Sequence, residues 1–132
     1  MAAVSSGQQP VFYNYSTTEG LPSSEVYDIL QDKKEFIWIA TDRGASCFDG
    51  YNFKNFTTAE GLTNNTVLKI YEDPKGRIWF LPITAELCYY ENGSIKEYRY
   101  NSSIKKEKTD VISSFSCDNN DELIIGFISY GV

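Results

Sequence analysis

Apolar residues along this chain fall into short runs separated by polar turn residues, and the runs repeat. The stretch from Gly20 to Gly50 aligns with itself when it is moved forward by 41 residues, so that Gly20 meets Gly61 and Trp38 meets Trp79. A third, weaker copy follows 45 residues after the second. A period of about 40–45 residues is typical of a supersecondary unit that stacks on copies of itself.

Each copy has the pattern of antiparallel strands joined by tight turns and one longer polar connector. The apolar positions in residues 25–32 would also suit a helical turn, but so short a run ended by a turn favours a buried strand. Asn92-Gly93 lies between alternating runs and is the strongest hairpin signal in the chain. The predicted strands are 25–32, 36–41, 45–48 and 52–56 in the first copy, 77–82, 86–91 and 94–99 in the second, and 111–117 and 122–128 in the third.

The turn between the first two strands of each copy ends at a position that requires a left-handed backbone. Asp73-Pro74-Lys75-Gly76 has the residues of a type I turn followed by a glycine bulge. Asp121 occupies the glycine position in the third copy and tolerates that conformation, whereas Glu35 in the first copy does so less readily. We therefore expect the turn at Glu35 to be the most strained of the three or to have a different shape.

Together these units predict an all-β fold, a partial β-propeller of about two and a half four-stranded antiparallel blades. The propeller fragment spans 11–132: blade one covers 25–56, blade two 66–99 and a partial blade three 111–132. Strand 11–15 has nothing before it to pair with and takes the outer position of a blade whose inner strands are missing. Residues 1–10 are interpreted as a tag remnant with a disordered N-terminus.

Two and a half blades cannot close a ring, so we expect a fragment of a longer protein in which the remaining blades of the parent chain complete the propeller. Its open sheet edges are candidates for self-association.

Composition supports the β prediction and excludes several function classes. Aromatic residues make up 15% of the chain, and they pack well on a pleated surface. Lys plus Arg number 12 and Asp plus Glu 18, so the net charge of −6 gives no basic face for nucleic acid or anionic lipid. No apolar run reaches about 18 residues, and the N-terminus lacks a signal peptide, so this segment is expected to make no membrane contact. The three cysteines show no metal-type spacing and suit buried single thiols.

The sequence offers few candidate catalytic or metal-binding residues. The chain has no histidine, which removes histidine-based nucleophile systems and metal sites, and we expect neither a cofactor nor a metal. A paired-carboxylate glycosidase site stays open because acidic residues are plentiful. Residues 118–122 resemble a calcium loop faintly, but Leu123 stands where such a loop needs glycine, so a hairpin turn is preferred.

Two sets of residues are assigned structural roles. Trp38 and Trp79 occupy equivalent positions inside apolar runs, which favours core packing over sugar stacking. Asp32, Asp73 and Asp118 are expected to cap turns by accepting hydrogen bonds from backbone N–H groups.

The connectors before the first strand of each blade should reach one mouth of the ring, where propellers usually bind. They supply the candidate ligand-binding residues, which are Ser23, Ser24, Glu25, Asn64, Asn65 and Thr66.

The sequences YSTTEGLPSSEVYDILQDKKEFIWIATDRGASCFDGYNF and FTTAEGLTNNTVLKIYEDPKGRIWF resemble the two-component regulator propeller repeat. The first copy has the family's Ile-Trp-Ile-x-Thr strand at residues 37–41 and a Phe-Asp-Gly hairpin at 48–50. The second copy departs from the family's pattern at residues 81–84, where it has Leu-Pro-Ile-Thr and the family has Gly-Thr. The third copy has Ile124 where the family has tryptophan. The resemblance covers residues 12–132 and is strong over the first two copies.

This resemblance implies an N-terminal extracytoplasmic, periplasmic sensor region of an inner-membrane sensor histidine kinase of the kind found in Bacteroidetes. The parent would be of the autolysin-regulator (LytS-like) type or a hybrid kinase that controls polysaccharide use. The implied role is sensing of a small-molecule or oligosaccharide ligand for signal transduction, without catalysis in this segment. The alternatives are a secreted glycan-binding or glycan-cleaving propeller and a structural interaction module.

Overall fold

The computed structural model describes residues 2–6, 11–104 and 110–129 of the chain. These residues form antiparallel sheets, two of four strands and two of two strands. The strands are β1 (Ala2–Ser6), β2 (Val11–Tyr15), β3 (Val26–Gln31), β4 (Ile37–Thr41), β5 (Gly44–Phe48), β6 (Phe53–Phe56), β7 (Val67–Glu72), β8 (Ile78–Pro82), β9 (Cys88–Glu91), β10 (Ser94–Glu97), β11 (Asp110–Cys117) and β12 (Leu123–Ser129).

The sheets are successive blades. Strands β3 to β6 lie in sequential order and form blade one, and β7 to β10 form blade two in the same way. Strands β11 and β12 pair with each other and form the described part of blade three. The all-β fold of four-stranded antiparallel units is confirmed. The strands observed from β3 onward begin and end within two residues of the predicted ones, except β7, for which the prediction gave no bounds.

The first strand pair differs from the prediction. Strand β2 was expected to have no preceding partner, but β1 pairs with it in antiparallel register, with Ala2 opposite Tyr15 and Ser6 opposite Val11. That expectation is wrong because backbone hydrogen bonds form the pair, whereas the residue types of β1 carry little strand propensity. Residues 1 and 7–10 lie outside the described residues, and the interpretation of 1–10 as a tag remnant stays a prediction.

The core lies between blades rather than within one sheet. Trp38 of blade one is 2% exposed, and its ring centroid lies 5.8 Å from that of Phe80 and 4.9 Å from that of Tyr90 in blade two. Trp79 of blade two is 1% exposed and lies 5.2 Å from Phe115 of blade three. Each blade therefore buries its apolar face only because the next blade covers it.

An aspartate in the preceding turn holds each of these indoles. The Trp38 Nε1–H donates to Oδ2 of Asp32 at 2.9 Å, and the Trp79 Nε1–H donates to Oδ2 of Asp73 at 2.8 Å. The other carboxylate oxygen, Oδ1, accepts two backbone N–H groups of its own turn in both blades. In blade three Asp118 caps its turn in the same way, although Ile124 replaces the tryptophan.

The connectors contain short 3₁₀ turns at Thr17–Glu19 and Thr58–Glu60, each closed by a capping box. Gly20 and Gly61 follow them with φ of 119° and 113°. A Cβ on Gly61 would lie 3.0 Å from the carbonyl oxygen of Ile95, so this position needs glycine for both backbone angle and space. The prediction gave only a polar connector, although a Ser/Thr-x-x-Glu spacing indicates this cap.

Blade two carries one extra residue after its second strand. Trp38 is paired with Cys47 across the sheet, whereas Trp79 is paired with Tyr89, so equivalent residues beyond this loop are 42 apart. Ala85 lies in the loop with φ of 60°. Tyr90 is consequently the counterpart of Phe48.

The turns between first and second strands have one shape. Residues Glu35, Gly76 and Asp121 have φ of 70°, 81° and 61°, and each N–H donates to the carbonyl oxygen of the aspartate three residues earlier. The alternative of a different shape at Glu35 is therefore wrong. The other alternative, strain, agrees with a non-glycine residue in the left-handed region.

Replacement of Glu35 by glycine should stabilise the protein by about 1 kcal/mol, because glycine adopts a positive φ without a Cβ penalty. The matched change Gly76→Ala introduces that penalty in blade two and should destabilise by about 1 kcal/mol. Urea unfolding followed by tryptophan fluorescence measures both. Equal stability of wild type and Glu35→Gly would contradict the strain at this turn.

Candidate functional site

The first predicted ligand-binding triplet lies at the start of β3. Ser23 is buried, and its Oγ accepts the backbone N–H of Glu25 at 3.1 Å. Ser24 and Glu25 are exposed, and Glu25 Oε2 accepts the hydroxyl of Tyr27 at 3.0 Å, which raises the pKa of that tyrosine. Residues 24–29 line an open groove of about 620 Å³. Ser24 and Glu25 therefore face the groove, whereas Ser23 holds the connector.

The second triplet lies at the start of β7, and the side-chain oxygens of its two asparagines stabilise the connector. Asn64 Oδ1 accepts the N–H of Thr66 at 2.8 Å, and Asn65 Oδ1 accepts that of Thr58 at 2.9 Å. No described residue accepts a hydrogen bond from either side-chain Nδ2 group. These amide groups are the hydrogen-bond donors that the two asparagines offer to a ligand.

The turn between β4 and β5 links the second triplet to blade one. The Gly44 N–H donates to the carbonyl oxygen of Asn65. The Thr66 hydroxyl lies 3.5 Å from the carbonyl oxygen of Asp42. Since β3 and β7 are neighbouring innermost strands, both triplets border the same end of the blades. We call this surface the connector rim, formed by Ser24, Glu25, Asp42, Asn64 and Asn65.

Asp42 is a rim residue that the sequence analysis missed. Its Oδ1 is buried and has no hydrogen-bond partner among the described residues, which is costly unless a donor reaches it. The sequence gives little indication of this role, because an aspartate directly after a strand is typical of a turn. Blade two also has Ile83, and no acid, at the equivalent position.

Two further cavities lie between blades, at the opposite ends of the first strands. One cavity of about 320 Å³ lies between blades one and two. Phe36, Trp38 and Tyr90 form its apolar surface, and three lysines lie at its edge. Its counterpart of about 300 Å³ lies between blades two and three, where Arg77 takes the place of Phe36. The tryptophans are too deeply buried to present a face to a sugar ring.

Arg77 joins blades two and three. Its guanidinium donates to Asp73 and to Asp121, and it lies over the rings of Trp79 and Tyr89 at 5.3 and 5.4 Å. Burial raises the pKa of Asp73, but hydrogen bonds from Trp79 and Arg77 outweigh burial, so that pKa lies below its ordinary value. Hydrogen bonds from Lys75 and Arg77 likewise lower the pKa of Asp121.

Burial holds the cysteine thiols in an unreactive state by raising the pKa of each. Burial raises the pKa of the Cys47 thiol to about 11, so it is protonated at neutral pH and is a poor nucleophile. The described residues contain no group of three acidic or cysteine side chains placed to hold a metal ion. No helix among them is long and apolar enough to cross a bilayer.

Comparison with known proteins points to one repeat family. Residues 20–43 and 61–81 match the model of the two component regulator propeller. Histidine kinase P4 of Formosa agariphila is 43% identical over 44 residues, which is 33% of this chain and 3% of the kinase. The chain thus spans a small part of this curated relative.

A solved structure shares the fold. The extracellular domain of a protein assigned as a hybrid two component system in B. thetaiotaomicron superposes with a TM-score of 0.70 at 24% identity, over 92% of this chain and 18% of that one. Similarity at this identity shows the propeller fold.

Substitution of Asp73 by asparagine should cost about 3 kcal/mol of unfolding free energy, because it leaves the Arg77 cation without its buried partner. The equivalent change Asp32→Asn likewise keeps one oxygen to cap the turn and loses the indole acceptor, but no arginine is present there, so it should cost about 1–2 kcal/mol. Urea unfolding of both variants at pH 7 provides the comparison. If Asp73→Asn cost no more than Asp32→Asn, the arginine would contribute nothing at this interface.

Acid should weaken the contact between blades two and three. Both Asp73 and Asp121 have a lowered pKa in the folded state, so their stabilisation is present above the unfolded-state pKa, about 4, and is lost as pH falls through the folded-state value. Unfolding free energy measured from pH 6 to pH 2 should fall less in the double variant Asp73→Asn/Asp121→Asn than in wild type. Parallel pH profiles would contradict this assignment.

Proposed function

We propose, on the premise that this chain carries two repeats of the two component regulator propeller family, that it belongs to the extracytoplasmic sensing region of a two-component histidine kinase. The observation that carries the proposal is the match of that family's model to the connector and first two strands of each complete blade, at residues 20–43 and 61–81. The short similarity to a histidine kinase and the propeller fold shared with an extracellular domain support it.

The role proposed for this segment is ligand binding without catalysis. The connector rim presents exposed side chains beside an open groove, whereas the acidic turn residues Asp32 and Asp73 are fully used as caps and indole acceptors. The rim offers amide donors from Asn64 and Asn65 and acceptors from Glu25 and Asp42. Such a mixed set suits a neutral ligand with several hydroxyl groups, such as an oligosaccharide.

A rim variant tests ligand binding without loss of the connector. Asn→Asp at positions 64 and 65 keeps the Oδ acceptors for Thr66 and Thr58 while removing the amide donors, and Ser24→Ala removes a hydroxyl. In the intact parent protein, this triple variant should need at least about tenfold more of an inducing polysaccharide digest for half-maximal reporter expression, equivalent to one lost hydrogen bond or more.

The matched control carries the same charge change away from the rim. Asn92 and Asn119 are exposed turn residues, so Asn92→Asp/Asn119→Asp should leave the response unchanged. An unaltered response in the triple variant would remove the rim from ligand binding. Release of new reducing ends from the digests by the purified chain would instead favour a glycan-cleaving propeller.

A further inference from the structure

The cavity of about 320 Å³ between blades one and two is a second candidate site, separate from the connector rim. It lies beside the turns that follow the first strands, where Asp32 and Gly76 line it, whereas the rim lies at the other ends of those strands. Both of its walls belong to complete four-stranded blades, so the residues that form it are all on this chain. Its volume lies at the lower end of the range of about 300–1,000 Å³ that small-molecule sites occupy. We call it the interblade cavity.

Three residues of the interblade cavity differ from their counterparts at the interface of blades two and three. Phe36, Cys47 and Gly76 correspond to Arg77, Tyr89 and Asp121. At the second interface the guanidinium of Arg77 lies over the ring of Tyr89 and pairs with Asp121. None of the first three residues can reproduce this bridge, because phenylalanine donates no hydrogen bond, cysteine has no ring and glycine has no carboxylate. The interblade cavity therefore lacks the internal cation of its counterpart.

Aromatic rings form one wall of the interblade cavity. Phe36 is 39% exposed, and Tyr90 is half-buried with its ring centroid 4.9 Å from that of Trp38. The Tyr90 hydroxyl has no hydrogen-bond partner among the described residues. Because packing on Trp38 already fixes the Tyr90 ring, contact with a ligand would cost little conformational entropy. This wall suits a flat apolar group.

The two carboxylates of the cavity wall already accept hydrogen bonds from N–H groups of the protein. Asp32 accepts two backbone N–H groups of its own turn and the indole N–H of Trp38. The two oxygens of Glu72 lie 3.1 and 3.2 Å from the backbone nitrogen of Lys33, which donates to them. Neither carboxylate therefore depends on a lysine side chain for its hydrogen bonds.

The lysines at the edge of the cavity outnumber these carboxylates, although the chain as a whole carries a net charge of −6. Lys75 pairs with Asp121 of blade three at 2.9 Å. The ammonium groups of Lys33 and Lys34 form no ion pair with any residue that the structure describes. Two positive charges without an internal counter-ion thus lie beside an apolar surface, a combination that favours an anion with an apolar part.

We propose that the interblade cavity binds a small organic acid with a flat apolar body, of the aromatic carboxylate class. The carboxylate lies at the edge, where Lys33 and Lys34 donate charge-assisted hydrogen bonds, and the body packs against Phe36 and Tyr90. An inorganic phosphate would satisfy the lysines but leave the aromatic wall uncovered. A neutral ring would cover the wall but leave both lysines without a counter-ion.

Binding is measured in the intact parent protein with naphthoate as the probe. Cys47 lines the cavity and is half-buried, so bound naphthoate should slow its alkylation by iodoacetamide, which mass spectrometry of the digested protein follows. The reaction is run at about pH 9, where more of the thiol is ionised and the lysines remain charged. We expect half-maximal protection at about 1 mM naphthoate or below, as is ordinary for a ligand of this size. Equilibrium dialysis gives the same constant without use of the cysteine.

Replacement of the two lysines tests the charge requirement. Lys33→Gln/Lys34→Gln changes exposed turn residues and should raise the dissociation constant of naphthoate at least about tenfold. It should leave the affinity for naphthamide, a neutral probe of the same shape, unchanged. The matched control Lys96→Gln/Arg99→Gln removes two positive charges from exposed residues outside the cavity and should bind naphthoate as the wild type does.

A variant that fills the cavity tests the location of the probe. Cys47→Tyr introduces the ring that Tyr89 supplies at the second interface, so it should abolish naphthoate binding in equilibrium dialysis. Circular dichroism checks that this variant remains folded, and the lysine variant serves as the test if it does not.

Four results would overturn the proposal. They are no naphthoate binding by either method up to about 10 mM, tenfold above the expected value, and equal affinity for naphthoate and naphthamide in the wild type. The others are an unchanged affinity for naphthoate in Lys33→Gln/Lys34→Gln, and full binding by a folded Cys47→Tyr variant.

Discussion

Burial of one tryptophan per complete blade against the next blade is the constraint on which this structure depends. A four-stranded sheet exposes two faces, and Trp38 and Trp79 leave water only because a neighbouring blade covers them. Substitution of such a buried tryptophan by alanine typically costs about 3–5 kcal/mol. Burial of an indole N–H without a hydrogen-bond partner would be costly. An aspartate of the preceding turn therefore accepts a hydrogen bond from each indole N–H. Turn, strand and interface are therefore stabilised by one carboxylate, whose second oxygen caps the backbone.

The two described interfaces meet this constraint with different chemistry. Between blades one and two the contact is mainly aromatic and aliphatic, whereas between blades two and three Arg77 adds a cation that two aspartates and two rings surround. Such a buried charge is stable only with its partners in place, which makes the second interface more sensitive to acid and to substitution. The described end of blade three has no equivalent, because Ile124 stands where the tryptophan would be and remains exposed.

The connector rim shows how a propeller separates scaffold from surface. The backbone of each connector is held by a capping box, a left-handed glycine and the oxygens of Asn64 and Asn65, so the loop has a defined shape without a ligand. Preorganised loops of this kind lose less conformational entropy on binding. The groups that face outward are then few: the amide donors and the exposed Ser24 and Glu25. The Oδ1 of Asp42 is buried beside them and has no hydrogen-bond partner among the described residues.

The sequence by itself determined the repeat, the strands from β3 onward, the turns with their aspartates and the position of the buried tryptophans, because these features follow from local periodicity and turn chemistry. It also located the connectors at one end of the blades. Only the tertiary structure decided that β1 pairs with β2, that Asn64 and Asn65 use their oxygens internally, that Asp42 joins the rim and that Arg77 links two blades. Each of these depends on groups brought together by strand pairing and by the packing of successive blades. Residue spacing indicates the face of the strand on which a side chain lies. The hydrogen-bond or ion-pair partner of that side chain depends on which elements pack against it in the tertiary structure.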